Sequence, residues 1–259
     1  MSTLLLRLAG PLQSWGIQSR FTVRDTALEP SKSGVVGLLA AALGRPRHAS
    51  LEDLAALKMG VRVDRQGTVK MDFHTAGGTH RRDEDYGVAL ADGSGKRAIT
   101  SQRFYLADAD FLVGLESDDE EFLCRLDAAL ARPRWPLYLG RKAFVPGRPI
   151  RITYRPPHLP GPEGVPGVVR LPLTEALSQY PYLARSPKEK DRLQKQGELR
   201  LRLVLEAEPG STSEVRPDQP LSFAILERRY LLRYVQTTFV SLPVDLIEED
   251  PHVSFPSAA

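Results

Sequence analysis

Residues Leu4 to Leu43 leave this chain few ways to begin a fold. Thr3 to Ala9 is a short, almost uninterrupted apolar run closed by Gly10 and Pro11, which predicts a strand buried on both faces. After an irregular stretch, Pro30, Ser31, Lys32, Ser33 and Gly34 lead into Val35, Val36, Leu38, Leu39, Ala42 and Leu43, the buried side of a helix. Ser33 is the expected N-cap, and Gly44 is the expected stop, with Pro46 just beyond it.

No acidic side chain occupies the start of that helix, so its free N–H groups and the positive end of its dipole are available to an anion such as phosphate. Lys32 would add a point charge, and Gly34 would allow close approach. The competing reading is a plain helix cap packed on a strand with nothing bound.

Net charge is only +3 over 259 residues, so total charge does not announce a polyanionic partner. The distribution is more informative. Arg132 to Arg155 holds seven Lys or Arg and no acid, whereas Asp108 to Asp127 holds eight acids and one base. The acidic run suits a helix start, with Ser117 as cap, Glu120 in the capping-box position and Phe122, Leu123, Leu126, Ala129 and Leu130 as the buried stripe. The single Cys124 excludes an internal disulfide and a cysteine zinc cluster. His48, His74, His80, His158 and His252 never fall at i, i+3 or i+4, so a helical metal site is unsupported and no cofactor is expected. The first apolar run is too short to span a membrane or to serve as a signal peptide, and the expected location is cytoplasmic.

Between Gly10 and Pro30, Arg20 and Arg24 mix with Trp15 and Phe21, a composition suited to single-stranded nucleic acid. Trp15, close to the strand, fits better as a cover for the core. Met59–Asp64 and Thr68–Thr75 alternate and, joined by Arg65, Gln66 and Gly67, predict a hairpin. Residues 76–103 form a long polar, glycine-rich excursion that returns through a strand over Ile99–Leu106. Phe111–Leu115 and Trp135–Leu139 read as further strands. The order describes an α+β chain with a ferredoxin-like, RRM-like domain over residues 1–150, although the aromatic RNA-binding signature of such modules is absent. After a Pro- and Gly-rich stretch, residues 151–259 read as a β-rich C-terminal region, with strands over Val168–Leu173, Leu199–Glu206, Phe223–Leu226 and Tyr230–Val235.

Arg7 through Gly16, Pro30 through Gly44, Asp72 through Thr75, Arg103 through Ala109 and Pro133 through Lys142 together resemble the CRISPR-associated CasD family, the Cas-five subunit of type I-E Cascade. The resemblance is good from Leu4 to about Val145 and poor in the last third. It implies a non-catalytic subunit that holds the five-prime handle of a crRNA. The 76–103 excursion would be a thumb packed on a backbone subunit. A large subunit would be a second partner, target DNA would be met only indirectly, and no membrane is involved. It also implies RNA contacts from Arg103 at the base of the thumb and from the basic pair Arg141 and Lys142, to which Lys32, Ser33 and Gly34 add the helix start read above from the residues themselves. Gln13 and His74 match family positions, with a structural role equally open. For Arg103 the alternative is an ion pair with Asp108 or Asp110. The runner-up activity is metal-independent cleavage of repeat RNA, for which His74, His80, Tyr86 and Lys96 are the available acid–base groups.

Overall fold

The computed structural model describes residues 1–19, 22–77, 87–90, 93, 95–210 and 212–252. Strand β1 (Ser2–Ala9) is buried at every position. Leu4, Leu6 and Leu8 point into one core and Leu5 into a second on the opposite face. Burial on both faces is why this strand shows no hydrophobic alternation. Two short strands follow, β2 (Leu12–Gln13) and β3 (Val23–Arg24), and then helix α1 (Lys32–Leu43). Ser31, not the expected Ser33, caps α1: its hydroxyl accepts from the Gly34 N–H at 3.3 Å. Gly44 ends the helix at φ 72°, the left-handed conformation that glycine adopts without strain.

Helix α2 (Glu52–Ala55) leads to β4 (Lys58–Arg65), which lies between β9 (Asp110–Ser117) and a strand from the last third of the chain. Both edges of β4 are therefore taken. Strand β5 (Thr68–Ala76) instead pairs antiparallel with β8 (Ile99–Ala107) over its whole length, so the predicted hairpin between the two alternating runs does not form. The chain pivots at Gly67, at φ 71°, where a Cβ would stand 2.5 Å from the Ala107 carbonyl. The small pair β6 (Val88–Ala89) and β7 (Lys96–Arg97) lies within the excursion, much of which, including His80 and Tyr86, falls outside the described residues.

Helix α3 (Glu120–Ala131) is capped by Asp119, whose carboxylate accepts from the Phe122 N–H at 2.8 Å. Ser117 sits two residues earlier and accepts from the Asp119 N–H. The strand expected over Trp135–Leu139 is absent. The free edge of β1 is instead met by β10 (Val168–Val169), while the Leu5 and Arg7 N–H groups donate to the Gly167 and Ile150 carbonyls at 2.7 and 2.9 Å. Helix α4 (Leu173–Gln179), strand β11 (Tyr182–Ala184) and helix α5 (Pro187–Gln194) follow. Next come β12 (Glu198–Glu206), β13 (Glu214–Ser222), β14 (Arg229–Pro243) and β15 (Ile247–Glu249). Phe223–Leu226 is the turn between β13 and β14 rather than a strand.

The main sheet runs β10-β1-β9-β4-β12-β14-β13, every neighbouring pair antiparallel. Residues beyond 150 supply strands at both of its edges. Helices α1 and α3 cover one face, and α4 covers the other against Leu5, Leu112, Val169 and Leu203. The architecture is mixed α+β, mostly sheet. The second sheet, β2-β8-β3 with β5 on the other edge of β8, projects from it.

Candidate nucleic-acid interface

At the start of α1 the anion-binding geometry is present, and the chain fills it with its own carboxylate. The Lys32 N–H donates to Asp218 Oδ2 at 2.7 Å, and Arg233 grips both oxygens of Asp218 at 2.9 Å. Lys32 is 1% exposed, with its ammonium 2.9 and 3.0 Å from the two oxygens of Glu206. Burial lowers its pKa against the opposing pull of Glu206. Burial works against the charge of Asp218 as well, yet Arg233 holds that carboxyl below its ordinary range. Lys32 therefore offers no charge to an outside ligand. Gly34 is spoken for too: a Cβ there would lie 2.8 Å from the Trp15 ring, so its missing side chain admits an indole rather than a ligand. Ser33 is half-buried, its hydroxyl 3.4 Å from that of Ser31. Gln13 is fully buried and structural. Its amide donates to the Leu8 and Ala109 carbonyls at 2.9 Å, and its oxygen accepts from the Trp15 indole at 3.1 Å.

The cations come together elsewhere. Short strand β3 runs parallel to β8, and the register places Arg24 beside Arg103. The loop after α3 brings in Arg141, which donates to the Arg24 carbonyl at 3.1 Å and lies 5.5 Å from the Phe144 ring centre. Burial lowers the Arg141 pKa, and the positive charges of Arg103 and Arg24 lower it further. Arg141 thus stands close enough to Arg103 and Arg24 to feel both positive charges, with Asp25 and Asp72 as partial compensation. Arg103 is oriented by a bond from its Nε to Ser101 Oγ at 3.0 Å, and Asp72 faces it across the β5–β8 pair. Neither expected acid pairs with it: Asp110 is taken by Arg7, and Asp108 by Arg65 and Arg185. His74, exposed on β5, has Asp72 at 3.8 Å as its charged neighbour.

Of the residues singled out from sequence, Arg103, Arg141 and His74 lie in this one region, and Lys142 adjoins it. Lys32 and Gln13 are buried and committed to the fold. Arg24 is the member that sequence reasoning left within a general basic stretch; its pairing with Arg103 needed the parallel β3–β8 contact. Gly140 shapes the turn carrying Arg141, at φ 94° and packed so closely that a Cβ would collide with the Ser14 carbonyl. Among the described residues no cluster of three or more His, Cys, Asp or Glu could hold a metal ion, and no helix is long and apolar enough to cross a membrane.

In class this is an α+β protein that displays a compact guanidinium cluster at the root of a projecting two-stranded ribbon. The sequence model of the family described as CRISPR-associated protein (Cas_Cas5) matches residues 3–236. The chain is 35% identical over 155 residues to the CRISPR system Cascade subunit CasD of Escherichia coli (strain K12), across 55% of this chain and 66% of that protein. A chain of a solved CRISPR RNA-guided surveillance complex is 34% identical, with a TM-score of 0.75 over 97% of this chain and 95% of its own. A solved Cas protein is 42% identical, with a TM-score of 0.65 over 96% and 99% of the two chains. The chain belongs to the CRISPR-associated Cas5 family.

Proposed function

We propose that this chain is the subunit of a type I-E Cascade surveillance complex that holds the five-prime handle of the crRNA without cutting it. The observation that carries this reading is the convergence of Arg24, Arg103 and Arg141 from three separate segments. Packing like charges together costs free energy unless an anion joins them, and guanidiniums both fork to phosphate and stack on bases. Lys142 and His74 flank the same strand path. The 76–103 insertion serves as the thumb, and the β5–β8 ribbon that carries it also offers exposed Val69, Met71 and Phe73 to a backbone subunit. The large subunit is the second protein partner, and target DNA is met through it.

In architecture we read residues 1–150 as a ferredoxin-like, RRM-like unit with 76–103 as the thumb insertion, and 151–259 as the β-rich part that completes its sheet. The order β10-β1-β9-β4, with α1 between β1 and β4 and α3 between β9 and β10, supports that reading, with the last strand supplied from beyond 150. Cleavage would need a second positioned proton donor beside His74. Arg103→Glu tests the binding reading. Affinity for handle RNA should fall by about 1–3 kcal/mol with the fold intact. Unchanged affinity removes the cluster from the site. A specific cut of repeat RNA by the purified chain in EDTA, abolished by His74→Ala, would establish cleavage instead.

A further inference from the structure

Beside the guanidinium cluster lies a groove of about 550 Å³, within the usual range for small-molecule clefts. Its floor is a stretch of α1 with small side chains, Gly37, Ala40 and Ala41, of which Ala40 is 6% exposed. Its walls are aromatic: Trp135 and Tyr138 from the loop after α3, Phe223 from the β13–β14 turn and Tyr230 from the start of β14. Phe223 and Tyr230 lie with ring centres 6.4 Å apart and tilted by 54°. Arg47, Lys142 and Arg228 stand exposed on the rim, and no carboxylate lines the groove among the described residues. Lys142, which lines the groove, is the next residue after Arg141, so one backbone segment links groove and cluster.

We propose that this groove receives one unstacked nucleobase of the strand whose phosphates the cluster holds, a reading that rests on the RNA-holding function above. A flat, uncharged ring fits between aromatic walls over a floor of small residues, and such stacking tolerates any base because every base has a π-face. The rim cations suit the flanking phosphates. Charge complementarity and continuity with the cluster favour nucleic acid over a protein segment as the occupant.

A single-stranded handle RNA scanned with one abasic nucleotide at a time tests the proposal. One abasic position should weaken binding about tenfold, equivalent to about 1.4 kcal/mol. Trp135→Ala, at a side chain already 43% exposed, should weaken intact RNA by a similar factor and bring no further loss with that abasic RNA. Tyr230→Ala should behave alike, and thermal melting should show both variants folded. If both bind every RNA as the wild type does while Arg103→Glu binds weakly, the groove is not a base site and the RNA-holding reading stands. If Arg103→Glu also binds as the wild type, that reading falls as well. Groove variants that keep RNA affinity but drop out of the assembled complex would assign the groove to a protein subunit and overturn the proposal.

Discussion

Gly34 and Lys32 look like ligand-facing residues in the sequence and face inward in the fold. Gly34→Ala gains at most about 1 kcal/mol of helix propensity. It also drives a methyl group into the Trp15 ring, an overpacking cost of about 1–3 kcal/mol. The net effect should be a lower urea midpoint with unchanged RNA affinity. Lys32→Met leaves Glu206 short of its main partner, with Arg233 4.0 Å away, and should cost on the order of 1–3 kcal/mol of stability. If it weakened RNA binding as much as Arg103→Glu while stability held, the internal role of Lys32 would be wrong. Asp218 and Asp250 add a pH dependence, since arginines hold both carboxyls below the ordinary range despite burial. A depressed carboxyl contributes stability that is full above its unfolded pKa of about 3.9 and is lost as pH falls through its folded pKa. Urea midpoints should therefore drop below about pH 4, and less steeply in Asp218→Asn.

Strand β5 is exposed at nearly every position on both faces, and among the described residues its outer edge is unpaired. Val69, Met71 and Phe73 share one face and are about half exposed or more. An exposed strand edge of this kind is an aggregation liability unless a partner covers it. Replacing Val69 and Phe73 by Lys should leave folding stability within about 0.5 kcal/mol, as surface changes do. It should also prevent incorporation into the assembled complex, read by size-exclusion chromatography. Incorporation at the wild-type level would show that this face of β5 is not a docking surface. Strand β13, which no sequence pattern announced, carries Pro217 and Pro220; it is the sheet edge, where prolines are tolerated, and its pairing is broken by two register shifts.

Across the molecule, a net charge of +3 coexists with a local cluster of three guanidiniums, so binding should depend on that cluster and on salt. For single strands each phosphate contact contributes about −0.7 to the slope of log K against log salt, which gives a slope of roughly −2 from the cluster alone. Arg103→Glu should flatten it by about one contact. The fold's outline was legible from local patterns: the apolar run of β1, the 3.6-residue stripes of α1 and α3, Gly44 as a stop and the leucine alternation of β12 are consequences of burial near in sequence. The identities of partners were not legible in the same way. Asp218 lies far along the chain from Lys32, Arg24 far from Arg141, and β10 far from β1. A vacant helix start and a filled one have the same sequence around Ser31. Only the packing of β13 against α1 brings a carboxylate there, and the exposed positive charge lies instead at the root of the ribbon.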